Sequence, residues 1–155
     1  YIMKSIFKLI FSVLLIAFFL ENVNSQNIVN ENIARKIGTN FISHNSNKTN
    51  PNLNLTRTEI GSDRQANLYI YNIEGGGFVI VSALKATNPI LAYSFKNNFG
   101  EDIPATVSYF TNSYNNIINY LKESENEIEE SCLKMWEELE SNNIRSKTSS
   151  HETSF

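Results

Sequence analysis

The sequence predicts an α+β domain in which a four-stranded antiparallel sheet has helices packed on one face. Two runs of β-branched and aromatic residues flank a glycine cluster at residues 75–77, which is typical of a hairpin. The predicted elements follow the order helix, four strands, two helices, and short connections join the strands. Short connections between neighbouring strands favour an antiparallel sheet, and the flanking helices are expected to cover one side of it.

The N-terminal residues 1–25 have the pattern of a secretory signal peptide. Lys4 and Lys8 lie before an uncharged apolar run at residues 9–20, and a polar exit with small residues leads to Gln26 as the expected mature start. A transmembrane helix needs about 18 or more apolar residues, and this run is shorter. We therefore expect a secreted or periplasmic protein that has no membrane association after signal cleavage.

Charge and cysteine content exclude several classes of function. The whole chain of 155 residues has a formal net charge of −3, and losing residues 1–25 makes it slightly more acidic, so nucleic-acid binding has no electrostatic support. Cys132 is the one cysteine and cannot form an internal disulfide. The fold must therefore depend on one apolar core of ordinary size.

The first two elements of the mature chain are a helix and a short strand. Ile33, Ile37 and Phe41 recur at the spacing of one helix face and predict a helix over residues 30–43. A polar loop follows, and alternating leucines predict a strand over residues 52–59. The helix is expected to bury its apolar face against the sheet.

The next three strands are predicted around the glycine cluster and after Pro89. Residues 68–73 and 78–82 form the two arms of the hairpin, because glycine supplies the positive φ values of a tight reversal. A fourth strand is expected over residues 90–95, where Pro89 can occupy a strand start.

Two helices and a polar tail complete the chain. Pro104 suits a first helical turn, and apolar residues at helical spacing predict a helix over residues 104–122. A last helix is predicted over residues 124–140, and residues 141–155 are expected to be an unstructured tail or linker. In domain terms, residues 26–122 form the main domain and residues 123–140 add a C-terminal helix.

Catalytic and metal-binding patterns are weak. Cys132 lies on the apolar face of the last predicted helix, so a packed structural thiol is favoured over a nucleophile. His44 and His151 are far apart in sequence and have no zinc spacing, so no metal or cofactor is expected. The glycine cluster lacks the following Lys and Ser or Thr of a phosphate-binding loop.

Aromatic side chains on the sheet give a candidate docking surface. If Leu68 and Ile70 face the core, alternation places Tyr69, Tyr71 and Ile73 on the open face. Exposed tyrosines are typical of protein interfaces, although they can also simply cover a sheet.

Three segments resemble a known family. Residues 69–73 (Tyr-Ile-Tyr-Asn-Ile), residues 76–82 (Gly-Gly-Phe-Val-Ile-Val-Ser) and residues 90–94 (Ile-Leu-Ala-Tyr-Ser) are similar to the propeptide of streptopain-type cysteine proteases, a module that also occurs free as the Spi protease inhibitor. The resemblance implies a four-stranded antiparallel sheet with packed helices. It also implies a non-enzymatic module that caps the active-site cleft of a papain-like cysteine protease.

The resemblance suggests which residues contact that protease. The connection between the third and fourth strands, residues 82–89, is the candidate blocking segment because it links two strands at one sheet edge. Many relatives carry Gly-Asp or an acidic residue here, whereas this chain has Ala83-Leu84-Lys85 and so departs from the family pattern at the point where a charge-based contact would form. The candidate partner-binding residues are Tyr69, Tyr71, Ser82, Ala83, Leu84, Lys85 and Asn88.

Other functions remain open at this point. The inhibitory module could act in trans as a free inhibitor or in cis as the front end of a protease precursor, with the same biochemical role. A secreted adhesion or binding module could instead use the tyrosine face for another partner. An enzyme acting through Cys132 is the least favoured alternative.

Overall fold

The computed structural model describes residues 27–100, 105–124 and 127–142. Seven elements follow one another: α1 (Glu31–Asn45), β1 (Leu53–Ile60), β2 (Ala66–Ile73), β3 (Phe78–Ser82), β4 (Ile90–Ser94), α2 (Ala105–Glu123) and α3 (Glu130–Glu140). The predicted signal peptide, Pro104, His151 and the tail from residue 143 onward lie outside the described residues.

The four strands form one antiparallel sheet in the order β1-β2-β3-β4. This arrangement confirms the predicted α+β class and the predicted sheet. The turn between β2 and β3 uses positive φ at all three glycines, as expected for the hairpin. At Gly77 the backbone also passes so close to β4 that a Cβ atom would collide with the Ser94 carbonyl oxygen.

The helices cover both faces of the sheet, so their predicted placement on one face is wrong. Helices α1 and α3 pack on the face that carries Tyr69, Tyr71 and Val79, and α2 packs on the opposite face. The physical reason is that β2 and β3 are apolar on both sides: every residue of β3 is buried. A sheet with two apolar faces needs a helical layer on each of them.

Helix α1 begins at a capped N-terminus and lies very close to the sheet. The side chain of Asn30 accepts a hydrogen bond from the Ile33 N–H, as an N-cap residue should. Gly38 faces the sheet, and a Cβ atom there would approach Leu53 Cδ1 to 2.9 Å. Phe41 packs edge-on against Tyr93, with ring centroids 4.9 Å apart.

Helix α3 begins at Glu130, six residues later than predicted. Glu129, just before it, has an extended backbone (φ −61, ψ 129). Glutamates at alternate positions from residue 123 to 129 place like charges four residues apart, which destabilises a helix in this stretch. The helix therefore starts only where Cys132, Trp136 and Leu139 can be buried.

Candidate functional site

The tyrosines predicted to lie on an open face are buried. Tyr69 is 7% exposed and Tyr71 is 0% exposed, because α1 and α3 cover their side of the sheet. The Tyr69 hydroxyl donates to the Val29 carbonyl oxygen (3.3 Å), and the Tyr71 hydroxyl donates to the Glu31 carbonyl oxygen (3.1 Å). The predicted exposure is wrong, and both rings instead hold the chain that leads into α1.

The surroundings of these two phenols favour their neutral form. Burial raises the pKa of Tyr69, and the nearby carboxylate of Glu31 raises it further. Burial also raises the pKa of Tyr71, although the Arg35 guanidinium, 5.0 Å from the ring centroid, acts in the opposite direction. Both tyrosines therefore act as uncharged hydrogen-bond donors inside the core.

The β3–β4 loop (residues 83–89) has a buried base and an exposed part. Ser82, Ala83 and Leu84 are buried, so three of the predicted partner-binding residues contact the core. The exposed part of the loop (residues 85–88) is half-buried from Lys85 to Thr87 and exposed at Asn88. Among the predicted contact residues, Lys85 and Asn88 are the ones that another protein could reach.

Hydrogen bonds within the loop fix its backbone in a compact turn. Ser82 Oγ accepts from the Leu84 N–H (3.0 Å) and lies 2.6 Å from Thr87 Oγ1, which donates to it. The Thr87 N–H donates to the Leu84 carbonyl oxygen (3.2 Å), and the Ser82 N–H donates to the Pro89 carbonyl oxygen (3.0 Å). The buried Ser82 hydroxyl is therefore the centre of the loop's own network.

The N-terminal segment (residues 27–29) binds the start of the loop from outside. Ile28 and Leu84 form an antiparallel bridge. The Val29 N–H donates to the Ala83 carbonyl oxygen and the Lys85 N–H donates to the Asn27 carbonyl oxygen, each at 2.8 Å. Because Tyr69 in turn holds Val29, this side of the loop is connected to the sheet.

Helix α3 binds the far side of the loop, which sequence reasoning did not predict. The Trp136 indole N–H donates to the Thr87 carbonyl oxygen (2.9 Å). One turn earlier, Cys132 Sγ lies 4.0 Å from Asn88 Oδ1. The sequence placed both side chains on the apolar face of a helix, and no signal in their spacing pointed to the loop.

Cys132 is a packed structural thiol, as predicted. It is buried at 8% exposure, and burial raises its pKa, with a further contribution from the Glu129 carboxylate. A nucleophilic cysteine needs a lowered pKa and an accessible thiolate. This site has the opposite properties, so the chemistry that an enzyme acting through Cys132 would require is not supported.

Two further findings concern metals and membranes. Within residues 27–100, 105–124 and 127–142, no group of three or more His, Cys, Asp or Glu side chains could hold a metal ion. None of the helices in these ranges has the length and apolar character needed to cross a bilayer.

Comparison with known proteins identifies a matching family and several relatives. The family model described as Spi protease inhibitor matches residues 26–118. Streptopain from Streptococcus pyogenes is 36% identical over 63 residues, and streptopain from the serotypes M1 and M28 (strain MGAS6180) matches with the same figures. The matched segment covers 40% of this chain and 16% of the length of these curated relatives.

Proposed function

The chain belongs to the Spi protease inhibitor family, and we propose that it blocks the active-site cleft of a streptopain-type cysteine protease. It would do so in trans as an inhibitor or in cis as an inhibitory propeptide. Secretion after removal of residues 1–25 is part of the proposal and rests on the sequence of that segment alone.

The exposed part of the β3–β4 loop is the segment proposed to enter the cleft. The observation that supports this assignment is the change in burial along the loop: Asn88 is exposed, whereas Ser82 and Ala83 at the base of the loop are fully buried. An exposed segment on a rigid base loses little conformational entropy when it binds. The β2–β3 turn, which contains the glycines at residues 75–77, offers almost no side chains to a partner.

The loop's internal hydrogen bonds suit an inhibitor better than a substrate. Peptide cleavage requires the scissile carbonyl to be held in line with the nucleophile, in a near-attack geometry. The bond from the Thr87 N–H to the Leu84 carbonyl oxygen keeps the backbone bent within the exposed part of the loop. A protease would have to break this network before it could align a peptide bond for attack.

The burial of the tyrosines weakens the competing hypothesis of an adhesion module. That hypothesis needs an open aromatic sheet face, and helices α1 and α3 occupy this face. Tyr69 and Tyr71 therefore contribute to the proposed inhibition through the core, and direct contact with a protease is assigned to Lys85 and Asn88.

Inhibition assays with a loop variant test the proposal. Purified chain is titrated against a streptopain-type protease, and the inhibition constant is compared between wild type and the double variant Lys85→Ala/Asn88→Ala. We expect at least about tenfold weaker inhibition, because contact residues at the centre of an interface each contribute about 1 kcal/mol or more.

The control is Lys36→Ala/Asn116→Ala, which removes the same two residue types from exposed positions on α1 and α2. It should inhibit like the wild type, and both double variants should unfold at the wild-type temperature. Absence of inhibition by the wild type at micromolar excess would refute the proposed function. Equal inhibition by wild type and loop variant would refute the assignment to the loop.

A further inference from the structure

Helix α3 touches the proposed blocking loop although it lies outside the residues that the family model matches. The match ends at residue 118, and α3 spans Glu130–Glu140. Trp136 is 1% exposed and belongs to the core cluster between α1 and the sheet. Its indole N–H nevertheless points at the loop and binds the Thr87 carbonyl oxygen at 2.9 Å.

Helix α3 is itself held in a fixed position. Leu139 packs in the same core cluster, and the Asn40 side-chain amide donates to the Leu139 carbonyl oxygen at 2.7 Å. The Trp136 ring is therefore attached to α1 and the sheet, and its N–H presents a donor whose position the core determines. A buried indole N–H requires such an acceptor.

Thr87 is the loop residue that accepts the hydrogen bond from the Trp136 indole N–H. The N-terminal segment holds Ala83 and Lys85 at the start of the loop, and the Ser82 N–H holds Pro89 at its end. Thr87 makes its other hydrogen bonds to Leu84 and Asn88 within the loop and to the Ser82 hydroxyl at the end of β3. Among the hydrogen bonds of the described residues, the one from Trp136 alone connects the backbone of Thr87 to an element outside the loop.

We infer that Trp136 is a positioning residue for inhibition, and that α3 contributes to the inhibitory site by holding the loop in place. This inference rests on the proposed function of the loop. The indole N–H fixes the Thr87 carbonyl, and thereby the direction in which the neighbouring Asn88 projects. Without it, the exposed part of the loop would sample conformations that bind more weakly and that a protease could cut.

The variant Trp136→Phe tests the inference, because it keeps an aromatic ring and removes the N–H. We expect inhibition about fivefold to tenfold weaker than wild type, the factor that corresponds to one lost hydrogen bond. We also expect mass spectrometry to show slow cleavage within residues 85–88 during incubation with the protease. The Thr87 amide should exchange with deuterium about tenfold faster in the free variant.

The matched control is Asn40→Ala, which removes a hydrogen bond from the other end of α3 without touching the loop. It should lower the unfolding temperature by a similar amount, yet inhibit like wild type and remain uncut. If Trp136→Phe does not fold, replacement of Trp136 by benzothienylalanine preserves the two-ring shape and exchanges N–H for sulfur.

The outcomes separate the inference from the function on which it rests. Wild-type inhibition with an equally potent, uncut Trp136→Phe would overturn the positioning role and leave the proposed function standing. Failure of the wild type to inhibit would refute the proposed function. In that case unchanged Thr87 exchange in Trp136→Phe would also overturn the role of Trp136 in holding the loop, whereas faster exchange would support it.

Discussion

The two connections on either side of β3 obtain their shapes in different ways. The β2–β3 turn (residues 74–77) reverses the chain with positive φ at each glycine and a hydrogen bond from the Ile73 N–H to the Gly77 carbonyl oxygen at 2.9 Å. Lys48, Asn52 and Asn98 add hydrogen bonds to this turn from outside. The β3–β4 loop is closed by hydrogen bonds around the Ser82 and Thr87 side chains, and the N-terminal segment and Trp136 hold it from either side. The first shape depends on the backbone angles of glycine, and the second depends on side chains, of which Trp136 belongs to the core.

This difference teaches where a rigid binding segment can come from. A glycine turn depends mainly on the positive φ values that its own residues allow. The loop combines a local hydrogen-bond network with contacts to residues far apart in sequence, so its final geometry forms together with the folded domain. The proposed function uses the second kind of connection, whose geometry is linked to the core.

The largest expected effect is on the glycine turn. Gly77→Ala should lower the free energy of unfolding by about 3 kcal/mol, because Gly77 has a φ of 104 and its Cβ would collide with the Ser94 carbonyl oxygen. Urea unfolding measures the loss. Gly75→Ala is the control, since its Cβ would meet only Lys48 Nζ at 3.5 Å; it should cost about 1 kcal/mol. Equal losses would contradict the close approach of the turn to β4.

Removing the Ser82 hydroxyl from the loop is expected to lower the free energy of unfolding by a smaller amount and to weaken inhibition as well. Ser82→Ala removes the acceptor for the Leu84 N–H and the Thr87 hydroxyl, so we expect a loss of about 2 kcal/mol in urea unfolding. Inhibition should also weaken, because Thr87 is released.

Ser94→Ala provides the comparison for that variant at the end of the neighbouring strand. Ser94 Oγ also accepts from two backbone N–H groups, but at 3.2 and 3.3 Å and away from the loop. It should cost about 1 kcal/mol and leave inhibition unchanged. Parallel losses of inhibition in both serine variants would mean that stability, and not loop geometry, limits binding.

The smallest effect is a dependence on alkaline pH. The pKa of Tyr69 is raised in the folded state, so its contribution to stability is complete below about pH 10, the ordinary tyrosine value, and is lost as the pH rises further. The urea midpoint of the wild type should fall above that pH. Tyr69→Phe should show a shallower fall, whereas Tyr120→Phe, at an exposed position, should follow the wild type. Identical profiles for all three would refute the assigned role of the Tyr69 hydroxyl.

Much of the fold follows from local sequence signals. The glycine cluster, the apolar spacing of Ile33, Ile37 and Phe41, and the run at β3 correctly predicted a hairpin, a helix and a strand. In each case the residues that predict the element are also the residues that form it. Short-range chemistry determines these elements, which is why a single sequence is sufficient to predict them.

The covering of the sheet was harder to predict. Alternation correctly placed Tyr69 and Tyr71 on the same face, but it could not say whether a helix covers that face. One signal was available: β3 is apolar at Phe78, Val79, Ile80 and Val81 without alternation, a pattern typical of a strand buried on both sides. The contact between Trp136 and Thr87 has no such signal, because it joins residues 49 positions apart.

Trp136 is the single tryptophan of the chain, which gives the protein a natural fluorophore at the loop. Its emission arises from one indole, whose N–H is bound to the Thr87 carbonyl oxygen in an environment shielded from water. Any event that separates the ring from the loop and admits solvent shifts this emission to longer wavelength. Opening of the loop in the free protein can therefore be followed in real time, without a label, by exciting this one side chain.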